Sequence, residues 1–155
     1  MPNGEKILVS VLLVTHSPLA HALTEAAHWI LGRDFEDFHS LDLAPSGSPQ
    51  DHLAELERTL GRMNAEQILI LTDLFGGTPH NLALTQLDPG RIEVVSGANL
   101  PMMLALDGLR QEFDTVAELA PAIAKKGRHA VVDAGGSLKR HRHEFGTGEI
   151  PAIDP

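Results

Sequence analysis

The sequence predicts an α/β fold, an open, mainly parallel, doubly wound sheet with helices on both faces. Three observations predict it. Short apolar runs alternate with segments whose apolar residues recur at helical spacing. Three of the predicted helix starts pair a hydroxyl residue with a proline (Ser17-Pro18, Ser48-Pro49 and Thr78-Pro79). The chain of 155 residues has the size of one domain and shows no internal repeat. Crossovers between parallel strands of such a sheet are right-handed.

The first strand is read over Ile7 to Val14, and its helix carries Leu19, Leu23, Ala26, Ala27, Ile30 and Leu31, with Gly32 as a stop. A weaker strand lies in Asp37 to Leu43. The next helix places Leu53, Leu56, Leu60 and Met63 on one face. Ile68-Leu69-Ile70-Leu71 is the clearest buried run and the third strand. A short helix follows the Gly76-Gly77 turn and ends near Asp88-Pro89-Gly90. Ile92-Glu93-Val94-Val95 is the fourth strand, and Asn99 with Pro101 marks a helix starting near Leu100. Another helix spans Thr115 to Lys126, with Gly127 behind it. Ala130-Val131-Val132 is read as a last strand. From Gly135 the pattern dissolves, so residues 1–134 are read as the domain and 135–155 as a flexible polar tail. That tail contains Lys139-Arg140-His141-Arg142-His143.

Composition excludes several functions. With no cysteine, thiol catalysis, disulfides and cysteine-based zinc sites are out. A net charge of −9 lacks the excess of basic residues that general nucleic-acid binding needs. No apolar stretch is long enough to span a bilayer as a helix. No signal peptide pattern is visible, and the expectation is a cytoplasmic protein without membrane insertion. Neither GxxxxGK[ST] nor GxGxxG occurs.

Two segments carry candidate chemistry. Thr15-His16-Ser17-Pro18 follows the first strand, and Asp73-Leu74-Phe75-Gly76-Gly77-Thr78-Pro79-His80-Asn81 follows the third. Open α/β sheets bind ligands in the crevice at the carboxyl ends of their strands. If strands one and three are neighbours, His16 and Asp73 reach the same crevice. A carboxylate accepting from one ring nitrogen fixes the tautomer and leaves the other nitrogen nucleophilic. The glycine pair permits a sharp turn and close approach, and the helix beginning at Thr78 presents amides with partial positive charge. These are parts suited to phosphoryl transfer onto histidine. Strand-end aspartates also serve as turn formers, and strand-end histidines as surface residues, so spacing alone leaves that reading open. Convergence of His16, Asp73 and His80 on a metal is the rival, without HExxH-type spacing to support it. No metal and no cofactor are expected. His21, His28, His39, His52 and His129 read as solvated or half-buried positions.

These residues resemble the EIIA component of the mannose/sorbose class of the bacterial phosphoenolpyruvate-dependent sugar phosphotransferase system. Val14-Thr15-His16-Ser17 resembles the active-histidine segment, Thr72 to Asn81 the glycine-proline segment, and Val94 to Met103 a third family segment. The likeness runs through residues 6 to 133. It implies that His16 accepts a phosphoryl group from the phosphohistidine of HPr and passes it to a histidine of an EIIB protein or domain. Asp73 would orient the imidazole, while Ser17, Gly76, Gly77 and Thr78 would hold the phosphoryl oxygens. The family's sheet order is 2-1-3-4, and its dimers exchange a late strand, here Ala130 to Asp133. His80 stands where members often have phenylalanine, and Ser17 where many have glycine. No region resembling EIIB follows in this sequence, which implies a separate partner. A regulatory protein that changes its binding on phosphorylation, with no direct part in transport, is the alternative.

Overall fold

The computed structural model describes residues 8–145, with side chains to residue 140. Ile7, the expected first residue of the first strand, lies outside them. Four parallel strands, β1 (Ser10–His16), β2 (Phe38–Leu43), β3 (Ile68–Thr72) and β4 (Ile92–Ser96), form one sheet in the order β2-β1-β3-β4. Among the described residues six helices accompany them: α1 (Leu19–Leu31), α2 (Pro49–Met63), α3 (Thr78–Leu84), α4 (Leu100–Glu112), α5 (Val116–His129) and α6 (Ala134–Phe145).

Strand alternation divides the core in two. Val9, Val11 and Leu13 face one side, with Ala20 and Ala27 of α1, Met102, Met103 and Leu106 of α4, and Leu119 and Ile123 of α5. Leu12 and Val14 face the other side, with Leu56 of α2 and Ala83 of α3. Side chains in a strand alternate faces, so the next even position, His16, belongs to the α2/α3 side. The sheet reverses its order between β1 and β3, which is where a crevice opens in this architecture.

The helix starts are only partly local. Ser48 forms a full capping box with Asp51, and Asn99 accepts from the Met102 N–H at 3.1 Å, both as expected. Ser17 does not cap α1. Instead both carboxylate oxygens of Asp42 accept, from the N–H of Ala20 at 2.8 Å and of His21 at 3.1 Å, and Thr15 Oγ1 donates to the same carboxylate at 3.1 Å. Asp42 pairs with Thr15 in the β1–β2 register. A charged acceptor from the adjacent strand thus takes the positive helix end, where a serine hydroxyl was expected. Asp42→Ala is expected to lower unfolding stability by about 1–2 kcal/mol, read from denaturant midpoints at unchanged slope.

Further differences concern the C-terminal part. Gly127 does not stop α5, which continues to His129. A Cβ at Gly127 would sit 2.5 Å from Met102 Sδ, so the glycine lets α5 approach α4. Residues 130–133 form no strand in the single chain, and Val131 and Val132 stay exposed. They pair with neither outer strand of the sheet, β2 or β4. Residues 135–145, the described part of the expected polar tail, belong to α6 (Ala134–Phe145), while 146–155 lie outside the described residues.

Arg110 anchors the apolar side from within. Its side chain is buried, donating from Nη1 to the Val9 carbonyl at 3.0 Å and from Nη2 to the Glu36 carbonyl at 2.8 Å. Burial pushes its pKa below the ordinary value, opposed by the charges of Asp107, Asp37 and Glu36. Arg110→Ala leaves two carbonyls without their donor and is expected to cost about 2–4 kcal/mol, measured by the same unfolding experiment.

Candidate functional site

His16 is the last residue of β1 and Asp73 the first after β3. Because the strands are parallel neighbours, their carboxyl ends meet at one edge of the sheet. Asp73 Oδ2 accepts twice from His16, from the backbone N–H at 2.9 Å and from ring Nδ1 at 2.8 Å. Asp73 Oδ1 accepts from the Leu74 N–H at 2.8 Å. The His16 side chain is 53% exposed and that of Asp73 only 10%. Burial, the largest single influence, raises the Asp73 pKa. The hydrogen bonds and charge from His16 and the Leu74 N–H together outweigh it, so the carboxyl titrates below its ordinary value.

That carboxylate has no proton to give, so Nδ1 donates to it and Nε2 carries the lone pair. The imidazole is therefore held at ring and backbone, with its nucleophilic nitrogen opposite the aspartate.

The turn after Asp73 explains the glycines. Gly76 has φ of +79°, in the left-handed region that favours glycine. The Gly77 N–H donates to the Leu74 carbonyl at 3.1 Å, which commits that amide to the turn. Gly77 contributes space: a Cβ there would lie 3.0 Å from His16 Cε1. Thr78 opens α3 as its first residue. Gly77 occupies the cap position, and no side chain caps this helix. Gly77→Ala is expected to push the imidazole off Asp73 and slow any reaction at His16 by roughly 10²-fold, since small misplacements carry costs of that order. The check is a rate measurement beside a histidine-ring NMR spectrum.

Ser17 and Thr78 border, with His16, a cavity of about 250 Å³. Leu43, Ala44, Pro45 and Pro49 give it an apolar wall, and Gly47 and His52 complete the side formed by the β2–α2 loop and α2. His52, expected to be solvated or half-buried, is buried. Neither His52 nor Asp42 carries a local signal in the sequence. Asp42 binds Thr15, Ala20 and His21, all distant in the chain, and His52 shares a cavity with residues of β1 and α3.

His80 does not join His16 and Asp73. It is buried in α3, its ring centroid 4.7 Å from that of Phe75, and its Nδ1 has no hydrogen-bond partner among the described residues. Among the described residues no three His, Asp or Glu side chains are grouped to hold a metal ion. No helix of the described residues is long and apolar enough to cross a membrane. Phe75 and Leu74 stand exposed beside the site.

Comparison with known proteins bears on the family and the fold. The family model EIIA-man, described as "PTS system fructose IIA component", matches residues 10–124. The sorbose-specific EIIA component of the phosphotransferase system of Lacticaseibacillus casei is 34% identical over 97 residues, 62% of this chain and 70% of that protein. The mannose-specific EIIAB component of Escherichia coli K12 is 26% identical over 125 residues, 79% of this chain, which spans 38% of that longer relative. Among solved structures, the phosphotransferase system component EIIA from Streptococcus agalactiae superposes with a TM-score of 0.74 at 25% identity, covering 83% of this chain and 98% of its own. The mannose/sorbose specific IIA subunit from Enterococcus faecalis shares the fold, with a TM-score of 0.72 at 23% identity, covering 94% of this chain and 98% of its own.

Proposed function

We infer the function from one premise: this chain belongs to the EIIA-man family of phosphotransferase system components. His16 is its phosphoryl carrier. It takes the group from the phosphohistidine of HPr and delivers it to a histidine of an EIIB protein or domain in a sugar phosphotransferase system. The observation that carries this reading is the double hold of Asp73 Oδ2 on His16.

The chemistry follows from that hold. The Nε2 lone pair attacks phosphorus as the donor's N–P bond breaks, and that bond's electron pair returns to the donor ring. The proton on Nδ1 stays where it is. As the Nε2–P bond forms, the His16 ring gains positive charge, and the Asp73 carboxylate beside Nδ1–H stabilises it. The Ser17 and Thr78 hydroxyls and the Gly76 and Thr78 amides donate to the phosphoryl oxygens, while Gly77 keeps the ring unobstructed. Positioning and charge stabilisation supply most of the rate in phosphoryl transfer. The exposed Phe75 and Leu74 offer apolar contact to the protein donor and acceptor. A second copy of the chain completes the assembly, with residues 130–133 as the exchanged segment.

Incubation with phosphoenolpyruvate, the general phosphotransferase enzyme and HPr is expected to add one acid-labile phosphate per chain. A chain that takes up none under conditions that load a known EIIA protein would sink the reading.

A further inference from the structure

Resting on the phosphocarrier reading, we propose that His52 is a second imidazole of the transfer site, whose ring N–H donates to an oxygen of the phosphoryl group bonded to His16 Nε2. Strand alternation puts His16 on the side of the sheet covered by α2 and α3, and His52 sits in the first turns of α2. Both line the same cavity, together with Ser17 and Thr78.

His52 is held there by construction. The capping box ties Ser48 to Asp51 in both directions, and the His52 N–H donates to the Ser48 carbonyl at 3.0 Å. The first turn of α2 is therefore fixed immediately before His52. Gly47 packs against the ring, where a Cβ would stand 2.2 Å from Cε1 and under 3 Å from both ring nitrogens. The loop has a glycine at the position where any side chain would displace this imidazole.

The ring is only 7% exposed, and it makes no hydrogen bond with the described residues. Its nitrogens are nonetheless not among the buried ones cut off from any partner. They are open to solvent, and the cavity that the ring lines is the space from which a partner reaches them. The ligand's charge makes the same point. Among the described residues no lysine or arginine lines the cavity, and its polar side chains are His16, Ser17, Thr78 and His52. The nearby carboxylates are committed, Asp51 to Ser48 and Asp73 to His16 and Leu74. A phosphoryl group entering here meets hydroxyls and this imidazole, which donates an N–H in either protonation state.

Phosphoramidate, a small donor needing no protein partner, separates this role from docking. Phosphorylating the intact chain with it is expected to shift the His52 ring 15N signals and leave those of exposed His21 in place. His52→Leu is expected to slow phosphorylation roughly 10–10²-fold and to move the 31P signal of phospho-His16. His52→Gln, which keeps an N–H donor, is expected to recover most of the rate. Phosphate on His16 with unmoved His52 nitrogens overturns this inference and leaves the carrier reading standing. A folded His52→Leu variant with the wild-type rate and 31P signal overturns it too. If the wild-type chain accepts no phosphate on His16, the carrier reading fails and takes this inference with it.

Discussion

His16→Ala is expected to take up no acid-labile phosphate from phospho-HPr or from a small donor, while folding as the parent does. The fold survives because the lost ring is half exposed and its recorded side-chain partner is Asp73. That carboxylate keeps two backbone donors, the N–H groups of residue 16 and Leu74, so no buried charge is stranded. Stability should change by no more than about 0.5 kcal/mol. Phosphate counting and a denaturation curve on the same sample check both halves. Undiminished uptake by the variant would move the carrier role to another histidine, with His52 and His80 the buried alternatives.

Asp73→Asn is expected to keep the geometry and lose roughly 10³–10⁴ in transfer rate, the scale seen when a histidine's orienting carboxylate becomes an amide. The wild-type carboxylate accepts three hydrogen bonds and offers no proton. An amide brings one acceptor oxygen and one NH₂ group. If the NH₂ faces Nδ1, the ring must accept there and carry its proton on Nε2, which removes the nucleophile. If it faces Leu74, a backbone N–H is left against a donor, at about 1–3 kcal/mol.

The pH dependence has a definite sign. The Asp73 pKa is lowered on folding from the ordinary 3.8. Its contribution to stability is therefore complete above that unfolded value and is lost as pH falls through the lower native one. The stability gap between parent and Asp73→Asn should hold from neutral pH down to about 4 and close in stronger acid. Unfolding midpoints across that range test it, and a gap that closes above pH 5 would contradict the direction.

Local chemistry made much of this legible. The end of the first apolar run placed His16, the buried run Ile68 to Leu71 placed Asp73, and Ser48 and Asn99 announced their helices because a cap bonds amides two or three residues away. The doubly wound class followed from alternating periods, and the order β2-β1-β3-β4 agrees with what the family likeness implied. Reading failed where a partner came from far along the chain. Ser17 looked like the cap of α1, but the acceptor is Asp42, brought alongside by the β1–β2 register. Gly127 looked like a stop signal and is a contact point for Met102. Residues 130–133 had strand composition, yet they pair with no strand of the sheet, because composition does not supply a pairing partner.

By itself the sequence determined where His16 and Asp73 stand at the ends of their apolar runs and the class of fold, because each is written in period, capping pattern or motif within a few residues. The tertiary structure alone decided how the site is closed. Pairing β1 with β3 joined Asp73 to both ends of His16. The parity of β1 aimed His16 at α2 and α3. That choice brought buried His52 and the cavity to its side, through contacts between residues no local pattern links.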